Sequence, residues 1–145
     1  MTVSKLTKCD CKIIAALFAR AFDDGWTEKM LLSAFDTERF HALGVFDGDD
    51  LVGAITFSYS VDTADIEDVA VDNAYRKKGI GERLVNKALD KIKDDKKEKV
   101  FLEVRANNVP AINLYQKVGF KNLSVRKKYY DDGEDAVVMV KEIAL

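Results

Sequence analysis

The chain has 145 residues, 48% hydrophobic and 33% charged, with 23 basic side chains against 25 acidic ones. That length is expected to hold one domain, residues 1–145, with a genuine core, and the balanced charge argues against nucleic acid or a membrane surface as a bulk partner. Cys9 and Cys11 with the single His41 make no four-ligand zinc set, so no metal is expected.

In chain order, Val3–Leu6 reads as a short strand. Ile13, Ile14, Leu17, Phe18, Ala21 and Phe22 share one helical face over Asp10–Phe22, which Asp23-Asp24-Gly25 ends. Thr27 is a suitable N-cap for a second helix, Glu28–Phe35, with Met30, Leu31, Ala34 and Phe35 inward. Ala42–Phe46 and Leu51–Tyr59 read as strands joined through Asp47-Gly48-Asp49-Asp50, which is good hairpin chemistry. His41, opening the first of them, is expected at the surface. In the next strand, Asp65–Val71, the apolar phase slips by one: Ile66 is even-numbered, Val69 and Val71 are odd. A β-bulge produces that slip, and so does a strand buried on both faces.

Arg76-Lys77-Lys78-Gly79-Ile80-Gly81 follows, and from Ile80 the residues Leu84, Val85, Ala88, Leu89 and Ile92 recur at helical spacing. The glycines therefore fall where a strand turns into a helix. The first helical N–H groups have no internal partner there, and their dipoles add, so the turn suits an anion. It reads either as a plain tight turn or as a pyrophosphate cradle, with Arg76, Lys77 and Lys78 adding charge. Neither the Gly-Lys-Ser/Thr ending of a Walker loop nor the three-glycine dinucleotide fingerprint is present.

Asp90–Lys99 carries nearly cancelling charges and reads as a solvated helix end and loop. Val100–Arg105 is a strand; Asn107 or Asn108 caps a helix to about Lys117, with Pro110 in its first turn and Gly119 at its C-cap. Phe120–Lys128 and Ala136–Ile143 are the last strands, joined across Asp132-Gly133. The order is β-α-α-β-β-β-α-β-α-β-β, an α/β fold with helices crossing a mixed sheet.

Two residues stand out chemically. Glu103 sits among apolar neighbours in Val100-Phe101-Leu102-Glu103-Val104. Half-burial is expected to raise its pKa toward the range of a general base; the other reading is an edge-facing or ion-paired glutamate, with Arg105 on the same face. Tyr115 shares a helical face with Ala111, Leu114 and Val118, so it points at the sheet, either as a core phenol or as an acid for a thiolate leaving group.

The turn Arg76–Gly81 resembles the Arg/Gln-x-x-Gly-x-Gly/Ala signature of the GNAT superfamily of N-acetyltransferases. Leu102-Glu103-Val104-Arg105-Ala106-Asn107-Asn108, with Ala111, Leu114-Tyr115 and Gly119-Phe120, is similar to its ribosomal-protein alanine N-acetyltransferases (RimI type). So are Trp26-Thr27-Glu28-Lys29, Asp68-Val69-Ala70-Val71 and the tail Tyr129–Ala136. The resemblance implies a mostly antiparallel sheet of six to seven strands flanked by about four helices. It implies acetyl-CoA as cosubstrate, held by Val69, Ala70 and Val71, by Arg76, Lys77, Lys78, Gly79, Ile80 and Gly81, and by Asn108 and Tyr115. Amides around Ala70–Val71 would face the acetyl oxygen. Glu103 would be the base and Tyr115 the acid, in direct transfer without an acyl-enzyme. Trp26, Glu103, Tyr129 and Tyr130 would meet the acceptor.

The implied acceptor is the N-terminal alanine of a small-subunit ribosomal protein, and the implied setting is a cytoplasmic monomer or weak dimer with neither nucleic acid nor membrane as partner. Met1–Lys5 lacks the apolar core of a secretory signal, and no apolar run reaches membrane length. Other N-termini, small amines and a non-catalytic acyl-CoA-binding module are the alternatives. The chain departs from the group's pattern at Asp23-Asp24-Gly25, Asn107 and Pro110.

Overall fold

Seven strands and four helices lie among residues 1–21 and 26–144, which the computed structural model describes; the expected end of the first helix at Phe22 and its Asp23-Asp24-Gly25 stop are outside them. The order is β1 (Val3–Lys5), α1 (Cys11–Ala21), α2 (Glu28–Phe35), β2 (Phe40–Asp47), β3 (Asp50–Tyr59) and β4 (Thr63–Val71). Then come α3 (Ile80–Asp94), β5 (Lys99–Arg105), α4 (Val109–Lys117), β6 (Lys121–Arg126) and β7 (Ala136–Glu142). The strands form one sheet, β1-β2-β3-β4-β5-β7-β6. Every pairing is antiparallel except β4 with β5, so the sheet is mixed and mostly antiparallel, as expected.

Helix ends follow local chemistry. Thr27 caps α2 by accepting from the Met30 N–H at 3.2 Å, and Asn108 caps α4 by accepting from the Ala111 N–H at 3.3 Å. Helices α3 and α4 cover one face of the sheet, where Leu84, Val85, Ala88 and Ile92 meet Ile55, Phe57, Val100 and Leu102. Helix α3 approaches closely because β3 carries Gly53; a Cβ there would stand 2.8 Å from the Ile80 side chain. Helices α1 and α2 cover the other face through Ile14, Leu17, Phe18 and Leu31. Two residues placed inward by periodicity are exposed instead, Ile13 at 39% and Met30 at 52%. The apolar stripes of α1 and α2 are wider than the strip of sheet beneath them.

The slip in β4 is a bulge. Thr56 of β3 faces Asp68, but the next residue, Phe57, faces Ile66, leaving Glu67 as the extra residue. Ala64 and Ile66 before it, and Val69 and Val71 after it, all pack into the core under α3. The parallel pairing with β5 reaches only as far as Ile66 opposite Leu102. Beyond that point β4 and β5 part, while β5 stays paired to β7 as far as Arg105.

His41 is not the surface residue that its position suggested. Its ring lies 4.4 Å from that of Tyr59 and stacks on Phe57 at 5.4 Å. Its Nε2 is covered and has no hydrogen-bond partner among the described residues. Burial, with Lys91, Lys5 and Lys97 outweighing Asp95, lowers its pKa below the ordinary 6.5. A depressed folded pKa means that the unfolded chain takes the proton first, so stability is full above 6.5 and falls as the pH drops through the folded value. Thermal melts from pH 7.5 to 5 are expected to show this acid limb, and His41→Phe, which keeps the stacking, is expected to flatten it by about a few degrees.

Candidate active site

Two cavities open where β4 and β5 part. The first, about 460 Å³, lies at the N-terminus of α3. Val69, Ala70 and Val71 of β4 line it with Arg76, Lys77, Gly79, Ile80 and Gly81 of the turn and Asn108 and Tyr115 around α4. Of the residues expected around a cofactor only Lys78 is not on its wall; its ammonium lies 5.4 Å over the Tyr75 ring.

The turn is shaped for an anion. Lys77 and Gly79 both have positive φ, 63° and 78°, which curls the backbone and turns its amides inward. Gly79 is the N-cap, and the first closing helical bond comes from Arg83 N–H to Gly79 O at 3.1 Å, so the amides of Ile80, Gly81 and Glu82 precede the helical ladder. Lys117 pairs with Glu82 at 3.0 Å and so offsets the carboxylate in the helix's first turn. Gly79 is required by its backbone conformation, whereas a Cβ at Gly81 would meet Leu114 and Val71 only at ordinary contact distance. Leu114, Ala111, Val69 and Val71 give the cavity an apolar wall beside the amides. A pyrophosphate with an extended organic arm fits this combination of charge, amides and apolar surface.

Amide direction along β4 refines one expectation. The Asp72 N–H donates to Val52 O of β3 at 2.8 Å, so by strand alternation the Ala70 N–H also faces β3. The N–H groups of Val69 and Val71 point the other way, toward the gap that β5 leaves. The N–H groups that point into the gap are therefore those of Val69 and Val71, with Ala70 contributing only its side of the wall.

Tyr115 is buried on that wall, its ring edge-on to Phe120 at 5.8 Å. Burial, and after it the charge of Asp68, pushes its pKa up to about 12.

The second cavity, about 540 Å³, opens beside the same stretch of β4. Asp65, Glu67 and Asp68 face Glu103 and, from the far end of the sheet, Arg126, Tyr129 and Tyr130. Glu103 is indeed ion-paired, but not with Arg105: Arg126 Nε of β6 stands 3.4 Å from its Oε1. The neighbouring Glu103 carboxylate, as an acceptor and by its charge, raises the pKa of the Tyr129 phenol. Tyr130's rises too, by burial first and by the Glu103 charge second. Asp65 and Glu67 are held above the usual carboxylate range by desolvation, Asp65 further by Glu103 and Glu67 further by Asp65.

Trp26 is the expected acceptor residue that does not line this cavity. It packs edge-on against Phe40 and donates through Nε1 to Thr56 Oγ1 at 3.2 Å. Since Thr56 is the register partner of Asp68, Trp26 supports the bulge from behind. Asp65, Glu67, Asp68 and Arg126 went unread as site residues. Three carboxylates within four residues of a strand was the signal for the first three. Arg126 was legible only as part of a basic cluster, Arg126-Lys127-Lys128, of which Lys127 pairs with Asp135 at 3.2 Å.

Comparison with known proteins bears on what these cavities hold. Residues 11–120 match the model of the Acetyltransferase (GNAT) family. The chain is 33% identical to N-alpha-acetyltransferase RimI of Mycobacterium tuberculosis over 98% of its length and 92% of that protein's. It is 29% identical to the [Ribosomal protein bS18]-alanine N-acetyltransferase of Escherichia coli K12 over 99% of each chain. The crystal structure of ribosomal-protein-S18-alanine N-acetyltransferase from Escherichia coli superposes with a TM-score of 0.92, covering 99% of this chain and 94% of that one at 30% identity.

Proposed function

The chain belongs to the acetyltransferase (GNAT) family and is an acetyl-CoA-dependent N-acetyltransferase; from that premise we propose that its acceptor is a protein N-terminal α-amine, that of an alanine-starting small-subunit ribosomal protein. One observation carries the reading: the cofactor-side cavity and the acidic cavity border the same stretch of β4, with Val69–Val71 lining one and Ile66–Asp68 the other. An amine in the second can thus meet an acyl group in the first across the gap beside the bulge. The near-full-length similarity to bS18-alanine acetyltransferases supports the choice of acceptor.

Bound acetyl-CoA supplies the thioester carbonyl that the amine attacks. Gly79, Ile80 and Gly81 with Arg76 and Lys77 bind the pyrophosphate, and Asn108, whose Oδ1 is taken by the Ala111 N–H, offers its NH₂ group from the opposite wall. Of the Val69 and Val71 amides, about 6.6 Å apart along the strand, one faces the oxygen on which charge develops. Glu103 takes a proton from the attacking nitrogen, directly or through water, and Tyr115 holds one for the departing thiolate. Tyr129 and Tyr130 wall the acceptor cavity beside Glu103. The whole chain acts as one acetyltransferase unit in the cytoplasm.

The test is intact-mass analysis of an alanine-starting ribosomal peptide incubated with the protein and acetyl-CoA. A gain of one acetyl group on the free peptide, absent when its N-terminus is blocked, is the expected result. Acetyl-CoA binding without any gain would exclude this acceptor.

A further inference from the structure

Arg105 shares a side of β5 with Phe101 and Glu103 by strand alternation, yet it reaches to Asp132. Its Nη1 reaches both carboxylate oxygens of Asp132, at 2.8 and 3.1 Å, and its guanidinium lies 4.1 Å from the centre of the Tyr130 ring. Arg126 sits level with it across β7, both being register partners of Ala136. That second arginine pairs with Glu103 and lies 5.5 Å from the Tyr129 ring. Tyr129 and Tyr130 meet edge to face at 5.2 Å. Two arginines and two tyrosines thus interlock around two carboxylates, Glu103 and Asp132.

The connection that carries the tyrosines, residues 127–135, is tied to the β5–α4 turn by two further bonds and closed on itself by a third. The Asn107 N–H donates to Glu134 Oε1 at 3.0 Å and the Ala106 N–H to Asp135 O at 2.9 Å. Asp135 Oδ1 in turn accepts from the Lys128 N–H at 2.9 Å. Among these contacts only Arg105 grips both the backbone-ordering Asp132, which also accepts from the Glu134 N–H at 3.1 Å, and a tyrosine ring. An exposed ion pair alone contributes little. Here a single Nη1 spans both Asp132 oxygens while the planar guanidinium lies over the Tyr130 ring, and it is this flat face on the ring that an ammonium cannot reproduce.

The geometry points to Arg105 as a positioning residue: with Asp132 it clamps residues 127–135 so that Tyr129 and Tyr130 form the acceptor wall beside Glu103. This rests on the acceptor reading above. Arg105 acts through the tyrosines.

The experiment compares wild type with Arg105→Met, Arg105→Lys, Asp132→Asn and the double variant R105M/D132N. Arg105→Met is expected to raise the peptide KM about tenfold while kcat falls less than about threefold and acetyl-CoA affinity is unchanged. Arg105→Lys is expected to recover little of this, and Asp132→Asn to match Arg105→Met. The double variant should be no worse than either single one, because the two side chains form one device. A substrate-free arm uses trypsin, whose sites after Lys127 and Lys128 lie in the clamped segment. Cleavage there is expected to quicken about tenfold in each variant at unchanged Tm.

Unchanged peptide KM and unchanged cleavage would overturn the proposal. So would a parallel fall in Tm and acetyl-CoA affinity, which marks a general structural role. If wild type fails to acetylate the peptide, the acceptor reading falls, and the trypsin arm alone decides the clamp.

Discussion

Glu103→Gln is expected to lower kcat/KM for an alanine-starting peptide by about 10² to 10⁴ while leaving the melting temperature nearly unchanged. Stability is spared because the lost partner is Arg126, whose side chain is 57% exposed and returns to water. The size of the loss separates two roles. An N-terminal amine has a pKa near ~8, so about a tenth of it is free at pH 7 and nearly all of it at pH 9. If Glu103 only exposed the lone pair before attack, the defect would be at most about tenfold and would vanish by pH 9. A base that takes the proton as the new C–N bond forms gives a larger defect that persists at pH 9. Initial rates of both proteins from pH 6 to 9.5 measure this, and a loss below about tenfold would remove Glu103 from the transition state.

Tyr115→Phe is expected to reduce kcat by about 10² or more with acetyl-CoA binding retained, since the ring still packs on Phe120 and only the proton is lost. The phenol's pKa of about 12 has a consequence for the pH profile. A raised pKa keeps the proton on below that value, so wild-type kcat/KM should show no alkaline fall from Tyr115 before about pH 11, where an ordinary tyrosine would already have cost activity near 10. An alkaline limb near pH 10 that Tyr115→Phe abolishes would contradict the burial described here. Against a thiol of ordinary pKa near ~8.5, donation from such a phenol is uphill by roughly 5 kcal/mol. The cavity that lifts the phenol also lifts the thiol, because either anion would be stranded in it. Donation therefore accompanies C–S cleavage, and the hydroxyl protonates sulfur as charge arrives.

What could be read in advance was what is local. The cradle spans Val69 to Gly81, a strand, a turn and a helix start in one continuous run, and short-range geometry decides where its amides point. The order of elements followed from periodicity and caps, and the bulge from a change of phase within nine residues of β4. What escaped depends on register between distant strands. Glu103 was legible as an unusual carboxylate, but its partner Arg126 reaches it only because β7 lies between β5 and β6. From sequence, Arg105 was the nearer candidate; only the folded contacts, Arg126 on Glu103 and Arg105 on Asp132, show which one meets Glu103. Ile13 and Met30 failed for a different reason. Amphipathic spacing says which side of a helix is apolar, not how much sheet is available to cover it.

The bulge at Glu67 also decides which kinds of change β4 can absorb. Upstream of it the even-numbered Ala64 and Ile66 are in the core under α3; downstream the odd-numbered Val69 and Val71 are. The strand is thus written in two burial frames that meet at a single residue. Exchanging Glu67 for another side chain leaves both frames intact. Removing it would turn one half of the strand over, expelling Ala64 and Ile66 or else swinging the Val69 and Val71 amides away from the gap. This strand can change in spelling but not in length.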